Sequence, residues 1–380
     1  MVEWIDCKIS DIGTVVGGAT PSTKKIDNYE GGTIAWITPK DLSTFSGRYI
    51  KCGERNLTEN GLKSCSAQML PKNTVLFSSR APIGYVAIAA NEVCTNQGFK
   101  SIIPNENTDP LFLFYLLKYN KEAIENMGSG TTFKEVSGNT MRNIIVKVPT
   151  DIEIQKKIAS ILGSIDDKIE ENERINNNLA EQMAIIFIKA RDSSVWSEQK
   201  IENIMCFYDH MRKPLSSRQR DGMEHNYPYY GATSIVDYVE DYIFDGTYIL
   251  ISEDGANVVD KAGHPLIQYA YGKFWVNNHA HIVQGIRGFS EALLFALLKT
   301  LNIQSIVTGA AQPKVNQANL RNFMTFLPKP DEAEQLSAVL EPFFNQMIEN
   351  DKANALLTEL RDTLLPKLMS GELDISNLDF

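Results

Sequence analysis

The sequence predicts an α/β (α+β) protein, with two similar mixed α/β domains joined by two long antiparallel helices that form a coiled-coil spacer in a pseudo-two-fold arrangement. Three observations predict it: an uninterrupted amphipathic stretch in the middle of the chain, a second one at its end, and an internal repeat that places one domain before each. From Asp151 to about Ala190 there is no proline and one glycine, Gly163, and apolar residues recur at Ile154, Ile158, Ile161, Ile165, Ile169, Leu179, Met183 and Ile186. Steps of three and four are the helical period, and roughly 40 residues at 1.5 Å each span about 60 Å.

The repeat is read from constant offsets. An offset of 179 pairs Gly130 with Gly309, Val136 with Val315, Arg142 with Arg321, Asn143 with Asn322 and Pro149 with Pro328. An offset of 181 pairs Phe114–Lys118 with Phe295–Lys299, and one of 192 pairs Trp4, Lys8 and Ile12 with Trp196, Lys200 and Ile204. The offset drifts because the middle of each copy differs. The expected domains are 1–149, 150–190 (central helix), 191–330 and 331–380 (C-terminal helix).

Taken in order, Trp36–Thr38, Val75–Phe77 and Tyr85–Ala89 read as strands separated by Gly17-Gly18, Gly31-Gly32, Pro71 and Pro82. Asp109 is placed to cap a helix that opens with Pro110, a residue suited to the first helical position. Residues 128–136 read as an exposed loop, Ile144–Val148 as the last strand, and Pro149 as its stop. In the second helix, apolar residues fall at Leu336, Val339, Leu340, Phe343, Met347, Leu357, Leu360, Leu364 and Leu368, with bends expected at Pro342 and Pro366. Asn172 and Asn176 in the first helix and Asn350 and Asn354 in the second interrupt the stripes. A polar layer between paired helices fixes their register at some cost in stability; the other reading is a solvated stretch of each helix.

The net charge is −10, and it is unevenly distributed: +2 over 1–149, −3 over 150–190, −1 over 191–330 and −8 over 331–380. The acidity therefore sits in the helices, which leaves either domain free to present a basic face to nucleic acid. Five scattered cysteines without a CxxC pair indicate neither a disulfide framework nor a thiolate zinc site. No apolar run of 18 residues and no basic-then-apolar leader is present, so a cytoplasmic protein away from membranes is expected.

Residue types suited to phosphates and base edges are Ser22, Lys24, Lys25, Lys40, Ser79, Arg80, Asn96, Gln97, Thr132 and Lys134 in the first domain. In the second they are Arg212, Lys213, Arg218, Arg220, Tyr230, Asn277 and Lys314. Asn96 and Gln97 fit a structural turn as well, and Tyr229 and Tyr230 fit core aromatics. Two heads of this kind, one at each end of a helix pair, fit two different short DNA half-sites about a helical turn apart.

No catalytic residue is expected. An adenine methyltransferase would need an Asn/Asp-Pro-Pro-Tyr motif and a glycine-rich cofactor loop, and the Gly128–Lys134 segment does not fit a P-loop. His279 and His281 could share a strand face, but a third metal ligand is not evident, so no metal site is expected.

Several segments, in this order, resemble the specificity subunit of a type I restriction-modification enzyme. They are Trp4 to Ser22 with its Asp11-Ile-Gly and Thr20-Pro-Ser, Gly32 to Leu42, Ser79-Arg-Ala-Pro-Ile-Gly84, Thr95 to Phe99, Gly128 to Ser137, Gln155 to Leu162 and Leu360 to Leu373. The resemblance covers nearly the whole chain. It implies two target recognition domains with paired spacer helices, reading an asymmetric bipartite target in double-stranded DNA across a non-specific gap. It also implies two methyltransferase subunits docked on the chain and two restriction subunits in the full complex. Those partners would bind S-adenosylmethionine, ATP and Mg, the chain itself needing no cofactor. In the second domain the motifs have only loose counterparts, at Arg212–Ser216, Glu253–Asn257 and Asn277–His279. Two further readings remain: a self-contained DNA-modifying enzyme, and a structural adaptor that binds no DNA.

Overall fold

The computed structural model describes residues 2–130, 134–309 and 312–375. It divides into two compact units, one of residues 1–170 with 354–380 and the other of residues 171–353, called unit 1 and unit 2 below. The long helices do not form a unit of their own; each contributes one part to unit 1 and the other to unit 2.

In unit 1 the strands are β1 (Trp4–Lys8), β2 (Gly13–Gly17), β3 (Ile34–Ile37), β4 (Tyr49–Ile50) and β5 (Arg55–Leu57). They are followed by β6 (Val75–Ser79), β7 (Ile83–Ala89), β8 (Cys94–Thr95), β9 (Lys100–Pro104) and β10 (Ile145–Pro149). The larger sheet has the order β2-β9-β6-β7-β4 and the smaller β5-β3-β8. All five residues of β6 are buried, as expected of a continuous apolar run at the centre of a sheet. The ribbon β1–β10 pairs Trp4 with Pro149 and Lys8 with Ile145.

The strands of unit 2 are β11 (Ser197–Lys200), β12 (Met205–Phe207), β13 (Tyr227–Tyr230), β14 (Ile235–Val239) and β15 (Phe244–Asp245). After them come β16 (Tyr248–Ser252), β17 (Ile267–Ala270), β18 (Lys273–Val276), β19 (Ala280–Gly285) and β20 (Met324–Leu327). The sheets run β12-β19-β16-β17 and β14-β13-β18-β15, and β11–β20 form the ribbon. This is the topology of unit 1 again. The order β2-β9-β6-β7 is repeated by β12-β19-β16-β17, and β3, antiparallel to β5 and parallel to β8, is repeated by β13 between β14 and β18. The sequence repeat is thus a repeat of fold, with β4 and β15 as the additions peculiar to each copy.

Helix α1 (Pro110–Tyr119) starts as its sequence requires: the Asp109 carboxylate accepts the Phe112 amide at 2.8 Å, with Pro110 in the first turn. Residues Phe112 to Leu117 are all buried, because a helix apolar on every side must be covered on every side. Between α1 and the first long helix lies α2 (Gly138–Asn143). That long helix, α3, covers Ile152–Ser193. In unit 2, α4 (Glu291–Leu298) repeats α1 and α5 (Gln317–Arg321) repeats α2, while α6 (Pro330–Ser370) closes the sequence of elements. No helix among the described residues is long and apolar enough to cross a membrane.

α6 continues as one helix through Pro342 and Pro366. The carbonyls that these prolines leave without a donor belong to Ala338 and Asp362, both exposed and open to water. The apolar stripes are only partly those expected from spacing. Ile158, Ile165, Met183, Leu340, Met347 and Leu368 are buried, but Val339 and Leu360 are exposed, and Leu162, Phe187, Phe344 and Met369 carry much of the packing. The buried face of α3 is one stripe, Ile158, Leu162, Ile165, Asn172, Asn176, Ala180, Met183 and Phe187; its first members pack in the core of unit 1 and its last in that of unit 2.

Within unit 1 the two long helices run antiparallel: Arg361 Nη1 lies 2.8 Å from Asp166 Oδ1, and Asn354 donates to the Ile169 carbonyl at 3.4 Å. Buried Ile375 and Leu368 complete the same core, and Gly371, at φ +77°, lies so close to Trp4 that a Cβ there would come 2.7 Å from the indole nitrogen. Within unit 2, Asn350 donates to Asn176 Oδ1 at 2.7 Å, and Asn176 donates to Asp351 Oδ1 at 2.8 Å and to the Met347 carbonyl at 3.1 Å. Asn172 is buried in the same stretch of α3.

Tyr269 also donates to Asp351, yet burial outweighs both hydrogen bonds and holds this carboxyl above the usual aspartate range. A raised native value means that the folded unit binds this proton more tightly than the unfolded chain. Asp351 therefore weakens the fold progressively as pH rises from the ordinary value of about 3.9 through the raised one. Asp351→Asn keeps both hydrogen bonds possible and is expected to flatten that loss, leaving unit 2 at least as stable at pH 7. Urea unfolding at pH 4.5, 5.5 and 7.0 checks this; a variant with the wild-type slope would disprove it.

Candidate nucleic-acid interface

In both units the segment that leads into the smaller sheet carries two exposed cations without an acidic partner among the described residues. In unit 1 this is the β2–β3 loop. The Trp36 indole donates to the Ala19 carbonyl at 3.3 Å, Tyr29 donates to Pro21 O at 2.7 Å, and the Arg55 guanidinium covers the Tyr29 ring at 4.2 Å. The Ser22 carbonyl accepts from Asn28 Nδ2 at 2.9 Å and from the Lys25 amide at 3.3 Å, forming a turn. Ser22, Lys24 and Lys25 are exposed on it, and neither lysine has an acidic partner among the described residues.

The corresponding segment of unit 2 runs from Asp209 to Asp221. Trp275 donates to the Lys213 carbonyl at 2.6 Å, the Leu215 amide to the Tyr229 hydroxyl at 2.9 Å, and Ser216 with Gln219 forms a capping box. Lys213 and Arg218 project from it, exposed and without an acidic partner among the described residues. Of the expected cations, five are thus free among the described residues to neutralise phosphates: Lys24, Lys25, Lys134, Lys213 and Arg218.

The other expected contacts that lie among the described residues have partners within the chain or are buried, although Lys40 and Gln97 remain exposed. Arg212 reaches Glu253 Oε2 at 2.6 Å and the Ala280 carbonyl at 2.8 Å, and Arg220 binds Asp237 at 2.6 Å while stacking on Tyr229 at 5.0 Å. Lys40 pairs with Glu54 at 2.8 Å, Arg80 with Glu135 at 3.6 Å, and Lys314 with Glu253 at 3.1 Å. Ser79 is fully buried and donates to the Gly98 carbonyl at 3.1 Å, out of reach of any groove. Tyr230 belongs to the core, its ring 5.5 Å from that of Phe274. Asn96 and Asn277 serve as turn residues at equivalent places, their side-chain oxygens accepting the Gly98 amide at 2.9 Å and the His279 amide at 2.8 Å. Gln97 is exposed and accepts from Thr20. Thr132 lies outside the described residues.

Sequence reasoning missed one cluster. Asp209, Glu253 and His281 bring potential ligand atoms within 4.8 Å of one another, Asp209 coming from 72 residues upstream of the histidine. His281 Nδ1 lies 2.6 Å from Asp209 Oδ2 and Nε2 lies 2.8 Å from the Val315 carbonyl. Burial pushes the Asp209 carboxyl up, but the hydrogen bonds from His281 and the Ile282 amide and the charge of Arg212 outweigh it and hold it below the usual range. The carboxylates are already engaged by Arg212, Lys314 and Gln317, so the cluster is built as an internal polar node.

Comparison with known proteins identifies the family and the fold. Residues 1–181 and 194–358 match the model of a family described as the type I restriction modification DNA specificity domain. The chain is similar to the MjaIX type I restriction enzyme specificity subunit of Methanocaldococcus jannaschii, 32% identical over 412 residues that cover 99% of this chain and 95% of that protein. It is also similar to the EcoprrI specificity subunit of Escherichia coli, 24% identical over 361 residues, 90% of this chain and 87% of that one. In fold it resembles the S subunit of a type I restriction-modification system from M. genitalium, with a TM-score of 0.56 and 18% identity over 99% of this chain and 97% of that chain.

Proposed function

The chain belongs to the family of type I restriction-modification DNA specificity subunits, and we propose that its two units each read one half of an asymmetric, bipartite target in double-stranded DNA. The observation that carries this reading is the repeat: the same strand order twice, with unpaired cations on the same lead-in segment in each copy but different residues there, Thr20–Lys25 in one and Arg212–Arg220 in the other. A shared frame fixes position on the phosphates, and divergent lead-in segments allow two different half-sites. The two long helices, each shared between the units, govern the length of the non-specific gap, with the Asn176–Asn350 pair fixing their register. Chemistry lies with the partners, two methyltransferase subunits and two restriction subunits, which bind S-adenosylmethionine, ATP and Mg.

The test is to purify the chain with and without a co-expressed methyltransferase subunit and to select from a random-sequence duplex pool by binding and adenine methylation. The expected product is a consensus of two unlike half-sites with a fixed gap, methylated only by the complex. Methylation by the chain alone would sink the reading of a subunit without chemistry of its own, and the absence of any consensus would sink DNA recognition.

A further inference from the structure

The turn that ends β6 in unit 1 has a counterpart at the end of β16 in unit 2, and the charges there are inverted. In unit 1 one acid stands between two bases: Glu135 lies 3.2 Å from Lys100 Nζ and 3.6 Å from Arg80 Nη1. In unit 2 Lys314 stands between two acids, its Nζ 3.1 Å from Glu253 Oε1 and 3.9 Å from Asp254 Oδ2, while Arg212 meets the other oxygen of Glu253 at 2.6 Å.

The backbone beneath is the same in both. Ser129 and Glu135 exchange amide hydrogen bonds at 3.0 and 2.9 Å, as Thr308 and Lys314 do at 2.8 and 2.7 Å. The Val136 amide donates to Ser79 O at 2.9 Å, and the Val315 amide to Glu253 O at 2.8 Å. One backbone arrangement therefore accommodates either polarity. Glu135 and Arg80 are about one-third exposed, which makes their pair a minor contributor to overall stability. What the pairs do fix is where the chain at Glu135, bridged to Arg80 and Ser129, sits against the turn, and the preceding Lys134 is one of the five cations without an acidic partner among the described residues.

We propose that Glu135 is a positioning residue for half-site reading: with Arg80 and Lys100 it latches the backbone at Lys134–Val136 onto the turn after β6, so that Lys134 is held toward the DNA backbone. On this account Arg80 serves the latch and not the DNA. The proposal rests on the reading of unit 1 as a DNA-reading unit.

The experiment uses the complex with its methyltransferase subunit and, as probe, the duplex that the wild-type complex selects from a random pool. Glu135→Lys sets three bases together and so displaces the whole Lys134–Val136 segment, changing how unit 1 is oriented on the duplex and not merely removing one charge. It is expected to bind roughly tenfold more weakly, to reduce the salt slope by about one, and to lose base preference in one half-site only. Glu135→Gln, which keeps the shape, should show a smaller loss of the same kind. The full reversal Arg80→Asp, Lys100→Glu, Glu135→Lys copies the polarity of unit 2 and should return affinity and preference to within about threefold of wild type. A merely structural role would not give loss confined to one half-site and rescue by reversed charges. Wild-type reading by Glu135→Gln and Glu135→Lys would overturn the proposal, as would a reversal variant that unfolds at the wild-type temperature yet reads no better than Glu135→Lys. Failure of the wild-type complex to select any sequence would instead overturn the DNA reading itself.

Discussion

Asp166→Ala is expected to destabilise unit 1 by about 3 kcal/mol. The carboxylate is 5% exposed and accepts two donors, the buried Tyr115 hydroxyl at 2.6 Å and Arg361 Nη1 at 2.8 Å. Removing it strands a phenol in the core and takes from Arg361 its buried partner. Loss of one member of a buried ion pair costs about 3–5 kcal/mol, and the lower end applies because Arg361 retains the exposed carboxylate of Asp362 at 2.8 Å. Tyr115→Phe should cost only about 1 kcal/mol, since Asp166 keeps Arg361. Hydrogen exchange at the amides of α1 separates this loss from events in unit 2, which a single unfolding midpoint would blend. Protection within about 1 kcal/mol of wild type in Asp166→Ala would show the pair to be idle.

Neutralising Lys24, Lys25, Lys213 and Arg218 together is expected to cost DNA affinity by orders of magnitude at moderate salt and to reduce the slope of log K against log salt by about 3 to 4. Phosphate contacts position a protein and do not specify sequence, so the half-sites selected by the variant should be unchanged. Arg220→Gln is the control. It breaks the 2.6 Å pair with Asp237 and the stacking on Tyr229, and should weaken the lead-in segment of unit 2 with the salt slope intact. A fourfold variant with the wild-type slope would remove these cations from the interface.

These expectations separate what local sequence reveals from what it conceals. The long helices were legible because a 3.6-residue period repeats over many turns, and the α1 start because Asp109 and Pro110 act within one turn of each other. The doubling was legible from spaced landmarks such as Trp4, which opens β1, and Trp196, which immediately precedes β11; these strands pair antiparallel with β10 and β20.

The fate of each charge was not legible. Arg212 and Arg218 look alike in composition, but Arg212 meets a glutamate 41 residues further on, and Arg218 meets none among the described residues. Pairing across a sheet depends on strand order, which no local pattern carries. The same holds for Tyr230, whose burial depends on Phe274 arriving from β18. The division into units differs from the expected domains for a related reason. A helix is one periodic run in sequence, yet its parts bury their faces in different cores.

The packing of Leu368, Gly371 and Ile375 against the core and Trp4 of unit 1 bears on the order of events during synthesis. Unit 2 is built from one continuous stretch, whereas unit 1 needs residues from both ends of the chain. As translation proceeds from the N-terminus, unit 1 emerges first and is completed last, its open core waiting until roughly two hundred further residues have left the ribosome. Limited proteolysis of stalled nascent chains should find unit 2 resistant before unit 1, and the reverse order would contradict this timetable.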